Sequence, residues 1–511
     1  MTEPGARRAR ASAKGGGRST ATWAAALVLV LCATIPWLVQ RHWDAKPDAA
    51  TYLLAARSLA RGEGYRVMGE PYTLRPPGFS LALAPIVAWR GIDFEALNLA
   101  GEAFGVAAVA LFFLLLAPRV GNECALAAAL ALELQPGFQQ LCNQVLSDVP
   151  GLALALLALL AIRWSGRRPS IARDVVAGAA IALATWVRTA NVLLVPALAL
   201  ERLLAPASES RPHAAAHGRE RGGMRERLRH ATVAGAIALA AYLPWALQPP
   251  SGGGYAQDAL ASYATALVRA DALDPDSEVV GPAAIAGRLR VNVASYVGLL
   301  GMSPADSRPT PLAWLLAALA IAASLYVGAK RREAPEWLAG ITAGVIAVYY
   351  VPQARLALVV AVVALANAVE AARDAALRVA RVRVADAAVV SALAAATALT
   401  FRADFLRPRS AERFAELGAI ASYVASTAKP GERLAGDYGS VYALLLDRPV
   451  LGLQAVCNQR GDAEARRTIA ESGADRVVLQ LDGPCAGLRD LGREEARRGA
   501  FVVLRLREIA P

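Results

Sequence analysis

Two aspartates that flank apolar stretches are the residues of this sequence best suited to chemistry. Asp48 follows the first apolar stretch by a few residues, and Asp148 opens a later one. A carboxylate at the edge of hydrocarbon is costly unless it is paired or hydrated, and carboxylates act as proton acceptors or as metal ligands. The two aspartates therefore indicate acid–base or metal chemistry at a membrane surface. Helix capping stays open as the alternative for each of them.

Two arginines are the candidates for binding an anion. Arg188 lies in WVRTAN and Arg355 in YVPQARLAL, and each is the lone cation of a short connection between apolar stretches. The guanidinium group is a planar, permanently charged fork that fits phosphate. Both arginines therefore predict a phosphate site. A salt bridge to Asp148 or Asp48, or snorkelling to lipid headgroups, is the alternative.

A short helix is predicted to hold Asp48. The helical pattern begins at Pro47, which suits the first turn, and a carboxylate is favoured next to it. Gly62 follows the pattern as a stop. Asp48 and Tyr52 are four residues apart and so share one helix face. A Pro-Pro-Gly break then precedes an apolar stretch at 78–89, which we interpret as an interfacial segment.

The composition is that of a membrane protein. The 511 residues are 56% hydrophobic and 19% charged, whereas soluble domains are about 45–50% apolar and roughly a quarter charged. This excludes a disordered chain, a coiled coil and a small disulfide scaffold, and it disfavours a soluble enzyme. Apolar stretches of membrane length predict about eleven spans, at 22–40, 94–117, 122–137, 148–163, 174–187, 190–205, 231–247, 311–328, 336–351, 354–371 and 384–401.

Lysine and arginine concentrate in alternate connections between these spans. The connection at 137–147 has none, whereas the N-terminal tail and the connection around 219–229 are rich in arginine. The positive-inside rule places the N-terminus in the cytoplasm of a plasma or inner membrane and, with an odd number of spans, the C-terminus outside. The excess basic residues behind the net charge of +12 therefore indicate membrane topology and face membrane lipid. No nucleic-acid partner is predicted. The first span is predicted to stay uncleaved.

The predicted topology divides the chain into three parts. Residues 1–21 form a basic cytoplasmic tail, 22–401 a transmembrane domain, and 402–511 a small α/β domain outside the cytoplasm. Two outer loops, 41–93 and 248–310, interrupt the transmembrane part. Long outer loops together with a soluble domain indicate work at the outer surface.

Helical and β-branched segments alternate in the predicted outer domain. Two cysteines, Cys457 and Cys485, fall within it. In an oxidising compartment they could pair, and packing as two unpaired small apolar residues is the equal alternative. The predicted elements are helices at 410–427 and 461–472 and strands at 432–436, 449–453, 475–480 and 500–507, and a further helix is predicted near 255–270 in the second outer loop.

Five short segments lie along the predicted outer side. They are Asp48-x3-Tyr52, Arg75-Pro76-Pro77-Gly78-Phe79, Ser147-Asp148-Val149-Pro150, Arg188-Thr189 and Gln353-x-Arg355. Together, over roughly residues 20–370, they resemble the GT-C glycosyltransferases. The resemblance is greatest to the family 39/83 relatives, which include dolichyl- and undecaprenyl-phosphate mannosyltransferases and aminoarabinose transferases. That first loop often carries Asp-Glu, whereas Ala49 follows Asp48 here, so the two-carboxylate motif is absent.

The resemblance implies a fold and a reaction. The fold is a polytopic α-helical GT-C membrane fold of about eleven spans, with interfacial helices and a C-terminal α/β domain. The reaction moves a sugar from a polyprenyl-phosphate carrier to an acceptor hydroxyl at the outer face of the membrane, with inversion at the sugar. The acceptor, a lipid, a polysaccharide or a protein, stays open. The implied catalytic residues are Asp48, as general base, and Asp148, and the implied substrate-binding residues are Tyr52, Arg75, Arg188 and Arg355.

No metal site is predicted, and no cofactor is certain. A divalent cation is used by some relatives, and the outer ligands open to it here are His42, Asp44, Asp48 and Asp148. A secondary transporter is the main rival function, or another membrane protein with a lipid-linked substrate. A transporter would show an internal repeat with interrupted helices in matching halves, and no repeat is visible. The Asp48 loop and the outer domain favour the transferase.

Overall fold

The computed structural model describes residues 4–167, 169–204, 224–248, 262–300, 310–400 and 410–506. Most of them are helical, and short strands lie in the first outer loop and at the C-terminal end. The helices are α1 (Pro4–Leu38), α2 (Pro47–Ala60), α3 (Gly78–Arg90), α4 (Phe94–Val120), α5 (Asn122–Glu133), α6 (Pro136–Cys142), α7 (Asp148–Arg167), α8 (Ile171–Val187), α9 (Leu194–Leu204), α10 (Met224–Ala246), α11 (Tyr263–Val268), α12 (Pro282–Leu300), α13 (Pro311–Arg331), α14 (Ala334–Val348), α15 (Leu358–Leu377), α16 (Val382–Thr400), α17 (Ser410–Thr427), α18 (Gly439–Leu446) and α19 (Gln454–Ser472). The strands are β1 (Arg66–Val67), β2 (Glu70–Pro71), β3 (Leu434–Gly436), β4 (Leu451–Gly452), β5 (Arg476–Gln480), β6 (Gly492–Arg498) and β7 (Phe501–Leu506), and 3-10 turns lie at Thr189–Leu193, Ala354–Ala357 and Ala486–Leu488.

Within these ranges, five helical segments are long and apolar enough to cross a bilayer, so the chain is a multi-pass membrane protein. Each predicted apolar stretch coincides with helix, but several of those helices are short. One example is α14, which has 15 residues. The count of eleven spans stays a prediction. The five segments are Thr20–Leu38, Phe94–Val120, Asp148–Arg167, Pro311–Arg331 and Ala354–Leu377.

Small residues let the bundle helices approach closely. A Cβ at Gly178 on α8 would lie 2.6 Å from the carbonyl oxygen of Ala234 on α10. Ion pairs join the helix ends on the predicted cytoplasmic side: Arg119, at the end of α4, donates to Glu333 at 2.8 Å and to Glu336 at 2.7 Å. These contacts fix the ends of helices that are far apart in sequence.

The loops 41–93 and 248–310 keep the names first and second outer loop from their predicted side of the membrane. The first outer loop folds largely as predicted. α2 begins at Pro47, with Asp48 in its first turn, and α3 occupies the predicted interfacial segment. A small hairpin of β1 and β2 lies between the two helices. The start of α3 packs closely against the end of α8. Glycine is needed at position 78, because a Cβ there would lie 2.5 Å from the carbonyl oxygen of Trp186.

The second outer loop contains a long helix that the sequence did not reveal. Of the helix predicted near 255–270, residues 255–261 lie outside the described ranges, and the rest forms α11. α12 follows it, with Arg288 and Arg290 in its middle. These charges interrupt the apolar stretch, so hydropathy did not indicate a helix there.

A five-stranded sheet forms the centre of the C-terminal part, with strand order β4-β3-β5-β7-β6. This part keeps the name outer domain from its predicted location. β3 pairs in parallel with β4 and β5, and β7 pairs antiparallel with β5 and β6. Two elements of this part, α18 and β6, were not predicted from the sequence. β6 reads GREEARR, so this edge strand lacks the apolar alternation by which strands are recognised. The predicted helix 461–472 begins earlier, at Gln454, and kinks at Gly461.

The two faces of this sheet pack against different partners. Leu434 and Val478 point to the face that packs with α2, α3, α17 and α18. Ala435 and Val477 point to the opposite face, which is covered by α19. Since successive residues of a strand alternate between faces, one sheet joins the outer domain to the membrane part and carries α19 on its far side.

A disulfide joins Cys457 on α19 to Cys485, across a sequence separation of 28 residues. Bridges of this kind stabilise a fold by about 2–4 kcal/mol because they restrict the unfolded chain. We therefore expect Cys485→Ser to lower the unfolding temperature of the purified protein. Reductant should lower the unfolding temperature of the parent protein but not that of the variant. The control is Cys32→Ser, at an exposed free cysteine. An equal response of parent and Cys485→Ser to reductant would contradict the expectation.

Candidate active site

Asp48 lies between two arginines that come from distant parts of the chain. Arg75 Nη2 donates to Asp48 Oδ1 at 2.9 Å, and Arg355 Nη2 donates to Asp48 Oδ2. Arg355 is 307 residues away in sequence and is brought in by the turn before α15. Gln353 accepts from Arg355 Nε at 2.9 Å and so orients the guanidinium group.

Arg355 also connects the two predicted carboxylates. Its Nη1 lies 3.8 Å from Asp148 Oδ2, and Arg188 Nη1 lies 2.9 Å from Asp148 Oδ1. Asp148 is buried at the start of α7, and Arg188 follows the last residue of α8. The structure thus forms one cluster of two carboxylates and three arginines. The salt bridges left open as an alternative for Arg188 and Arg355 are present.

Tyr52 supports this cluster from behind. Its hydroxyl forms a 2.9 Å hydrogen bond with Ser147, next to Asp148. The guanidinium of Arg75 lies 5.3 Å from the centre of the Tyr52 ring, in cation–π contact. Tyr52 therefore contacts both Arg75 and the residue before Asp148, and the substrate contact implied by the resemblance stays a prediction.

The charge of Asp48 is set by its neighbours. Burial alone raises the pKa of the carboxyl group, but the guanidinium groups of Arg75 and Arg355 outweigh burial and hold the pKa of Asp48 well below its usual range. Asp48 is therefore an anion at neutral pH. Burial raises the pKa of Tyr52, so its hydroxyl stays protonated.

A cavity of about 1850 Å³ opens beside the cluster. Asp48 and Arg355 line it, whereas Tyr52 and Arg75 stand behind them. The membrane side of its wall includes Gln144, Thr189, Tyr242, Trp245 and Gln353, and the outer domain supplies Asp437, Tyr438, Gly439, Ser440, Gly452, Gln454 and Asn458. Sequence reasoning missed the contribution of the outer domain. The one sequence signal for it was Asp437, the acidic residue directly after the predicted strand 432–436.

The candidate cation ligands do not converge. Asp44 accepts from Gln144 at 2.6 Å and lies 3.3 Å from Lys46, while both oxygens of Asp48 face arginines. Across the described ranges, no group of three or more His, Cys, Asp or Glu side chains is placed to hold a metal ion.

Gly151 on α7 lets Arg188 reach Asp148. A Cβ at position 151 would lie 2.8 Å from Arg188 Cδ and 2.9 Å from its Cβ. We expect Gly151→Ala to push Arg188 away and to cost about 1–3 kcal/mol of stability, as overpacking does. Thermal unfolding of the purified protein measures this loss. The control is Gly340→Ala on α14, where a Cβ meets no atom within 4 Å. Equal stability of the two variants would refute the packing argument.

Comparisons with known proteins find one matching family and several similar solved structures. Residues 74–246 match the family described as dolichyl-phosphate-mannose-protein mannosyltransferase. The structure is similar to ArnT from Cupriavidus metallidurans bound to undecaprenyl phosphate, with 14% identity, 94% of this chain and 98% of that chain covered, and a TM-score of 0.58. No curated protein sequence matches the chain.

A second similar structure is the archaeal oligosaccharyltransferase AglB from Archaeoglobus fulgidus, in complex with an inhibitory peptide and a dolichol-phosphate. Its identity is 14% and its TM-score 0.58, with 90% of this chain and 69% of that chain covered. The chain therefore has the GT-C fold, which confirms the predicted helical membrane fold. The count of eleven spans and the location of the C-terminal domain outside the cytoplasm stay predictions.

Proposed function

We propose, from the GT-C fold of this chain, that it transfers a sugar from a polyprenyl-phosphate carrier to an acceptor hydroxyl at the outer face of the cytoplasmic membrane. The observation that carries the proposal is the contact of Asp48 with Arg355 at the edge of a cavity between the membrane helices and the outer domain. The similar ArnT structure holds undecaprenyl phosphate, which supports a carrier of that class.

The reaction needs a proton acceptor for the attacking hydroxyl and positive charge for the departing phosphate. Asp48 supplies the carboxylate, and Arg355 supplies a charged fork suited to phosphate oxygens. A phosphate is a good leaving group, so no acid comparable to that of a glycoside hydrolase is required. Direct displacement by the hydroxyl inverts the anomeric centre.

Arg355 gives the site a way to activate its base on donor binding. Without a donor, Arg75 and Arg355 hold the pKa of Asp48 low, which makes it a weak base. An incoming phosphate competes with Asp48 for Arg355, because both are oxyanions that suit the same fork. When Arg355 turns to the phosphate, Asp48 loses one of its two cations and its pKa rises. Asp48 then becomes a better base at the moment the donor is in place.

The position of the cavity favours a transferase over a transporter. A transporter binds its substrate near the middle of the bilayer, at the interface of two repeats. Here the outer domain forms part of the cavity wall. The disulfide in that domain supports an oxidising compartment outside the cytoplasm. With the odd number of spans predicted, this supports a cytoplasmic N-terminus.

Profiling of lipid-linked and envelope glycans in a deletion strain tests the proposal. We expect one polyprenyl-phosphate sugar to accumulate and one sugar to be missing from an envelope glycan. The parent gene should reverse both changes. Unchanged pools of carrier-linked and envelope sugars would refute the proposal.

A further inference from the structure

The outer domain has a topological switch point beside the Asp48 cavity. After β3 the chain turns to α18, which packs on the sheet face shared with α2. After β4, the parallel neighbour of β3, the chain turns to α19 on the opposite face. The two connections diverge, and they leave a crevice outside the carboxyl ends of these strands. In open α/β sheets this is where ligands bind.

This crevice opens into the cavity that contains Asp48. The residues directly after β3, Asp437 to Ser440, and most of those from Gly452, at the end of β4, to Arg460 supply much of the outer wall of the cavity. The two connections touch at the base of the crevice, since a Cβ at Gly439 would lie 2.5 Å from Gly452 Cα. The crevice and the Asp48–Arg355 cluster thus share one space.

Asp437 gives the crevice its shape. Its carboxyl group is buried and accepts a hydrogen bond from Tyr442 Oη at 2.8 Å. It also accepts from the backbone N–H of Tyr438 at 2.9 Å and from the backbone N–H of Gln480 at 2.7 Å. These bonds tie the turn after β3 to the end of β5. Asp437 is therefore a positioning residue for the crevice wall.

The side chains of the wall suit hydroxyl groups better than charged groups. Gln454, Asn458 and Gln459 line it, and a carboxamide both donates and accepts hydrogen bonds, as a sugar hydroxyl does. In the described part of the outer-domain wall, the one cation is Arg460, whose Nε bonds Asp271 at 2.8 Å. Two acidic residues, Glu464 and Glu471, also line the wall. An anionic acceptor would meet repulsion there.

We propose that this switch-point crevice is the acceptor subsite and that the acceptor is a neutral carbohydrate. The proposal rests on the proposed transferase function. The volume of the cavity, about 1850 Å³, exceeds the roughly 300–1,000 Å³ of common small-molecule sites. It therefore has room for the donor sugar and for acceptor sugars at the same time. Bound in the crevice, the acceptor directs one hydroxyl toward Asp48.

Hydrogen exchange of the full-length protein in detergent tests the subsite without any turnover. The probes are three neutral hexasaccharides, of mannose, galactose and glucose, and as alternatives a neutral hexapeptide and a lipid A preparation. When the probe is present at about ten times its Kd, binding slows amide hydrogen exchange through local opening by about tenfold. We expect at least one hexasaccharide to do this at residues 437–440 and 452–460, and neither alternative probe to do so.

Variants make the test specific. Asn458→Ala with Gln459→Ala should remove the protection, whereas Ser422→Ala, on the exposed face of α17, should keep it. Asp48→Asn should also keep it, because the acceptor wall is intact. Three results would overturn the proposal. No hexasaccharide protects these residues, or only the peptide or the lipid A preparation protects them, or the protection survives in the double variant. Because exchange needs no catalysis, failure here is distinct from failure of the transferase function.

Discussion

Asp48→Asn should reduce sugar transfer by about 10²–10⁴-fold, the usual contribution of a general base. The amide keeps the size of the side chain but cannot take the proton of the attacking hydroxyl. It also removes the anion that faces Arg75 and Arg355. The measurement is transfer of labelled sugar from the carrier-linked pool to the envelope glycan, in membranes of a deletion strain that carries the variant.

Asp44→Asn is the matched control for Asp48. Asp44 is a carboxylate of the same outer loop, but it faces Gln144 and Lys46 instead of the arginine cluster. We expect this variant to keep most of the transfer activity. If Asp48→Asn is as active as Asp44→Asn, Asp48 is not the base.

Arg355→Gln should lower transfer by about 10²–10³-fold, as loss of one preorganised donor to a developing negative charge does. Two effects combine in this variant. The phosphate loses a cation, and Asp48 and Asp148 lose the group that lies between them. Binding of undecaprenyl phosphate to the purified protein should weaken together with transfer.

Arg355→Lys separates charge from geometry. Lysine keeps the positive charge but replaces the planar fork with a point charge, so we expect activity between that of the parent and that of Arg355→Gln. The control is Arg90→Gln, because Arg90 is exposed and pairs locally with Asp93 at 2.7 Å. Unchanged carrier binding in Arg355→Gln would count against the phosphate role.

The double variant Asp48→Asn with Arg355→Gln tests whether the two residues act as a unit. Groups that act in one step show losses that do not add. Because Arg355 also serves the phosphate, the double variant should be worse than Asp48→Asn alone, but its loss should be smaller than the product of the two single losses. Losses that multiply in full would indicate that the two residues act independently.

Much of the site was predictable because its parts are local. The start of α2 at Pro47 with Asp48 in its first turn follows from proline and carboxylate preferences at helix starts. Each of the six predicted site residues lies in or beside one arginine–carboxylate cluster. The contacts of Tyr52 with Ser147 and Arg75 were not predictable, since they depend on how α2 packs.

Other parts had no signal of their own in the sequence. β6 is a charged edge strand, and α12 carries arginines in its middle, so neither shows the apolar pattern of its class. The pairing of Cys457 with Cys485 needed the approach of α19 to the loop after β5. Two cysteines in one domain allow a bond but do not require it.

The apolar helices, the basic connections, and the carboxylates and arginines at the helix ends can be recognised from the residues alone. Each of these follows from residues close together in the chain. In contrast, the contact of Arg355 with Asp48 across 307 residues and the place of the outer domain in the wall of the same cavity became visible in the folded chain. Contacts of this kind depend on the packing of distant segments, and local periodicity and charge carry no record of that packing.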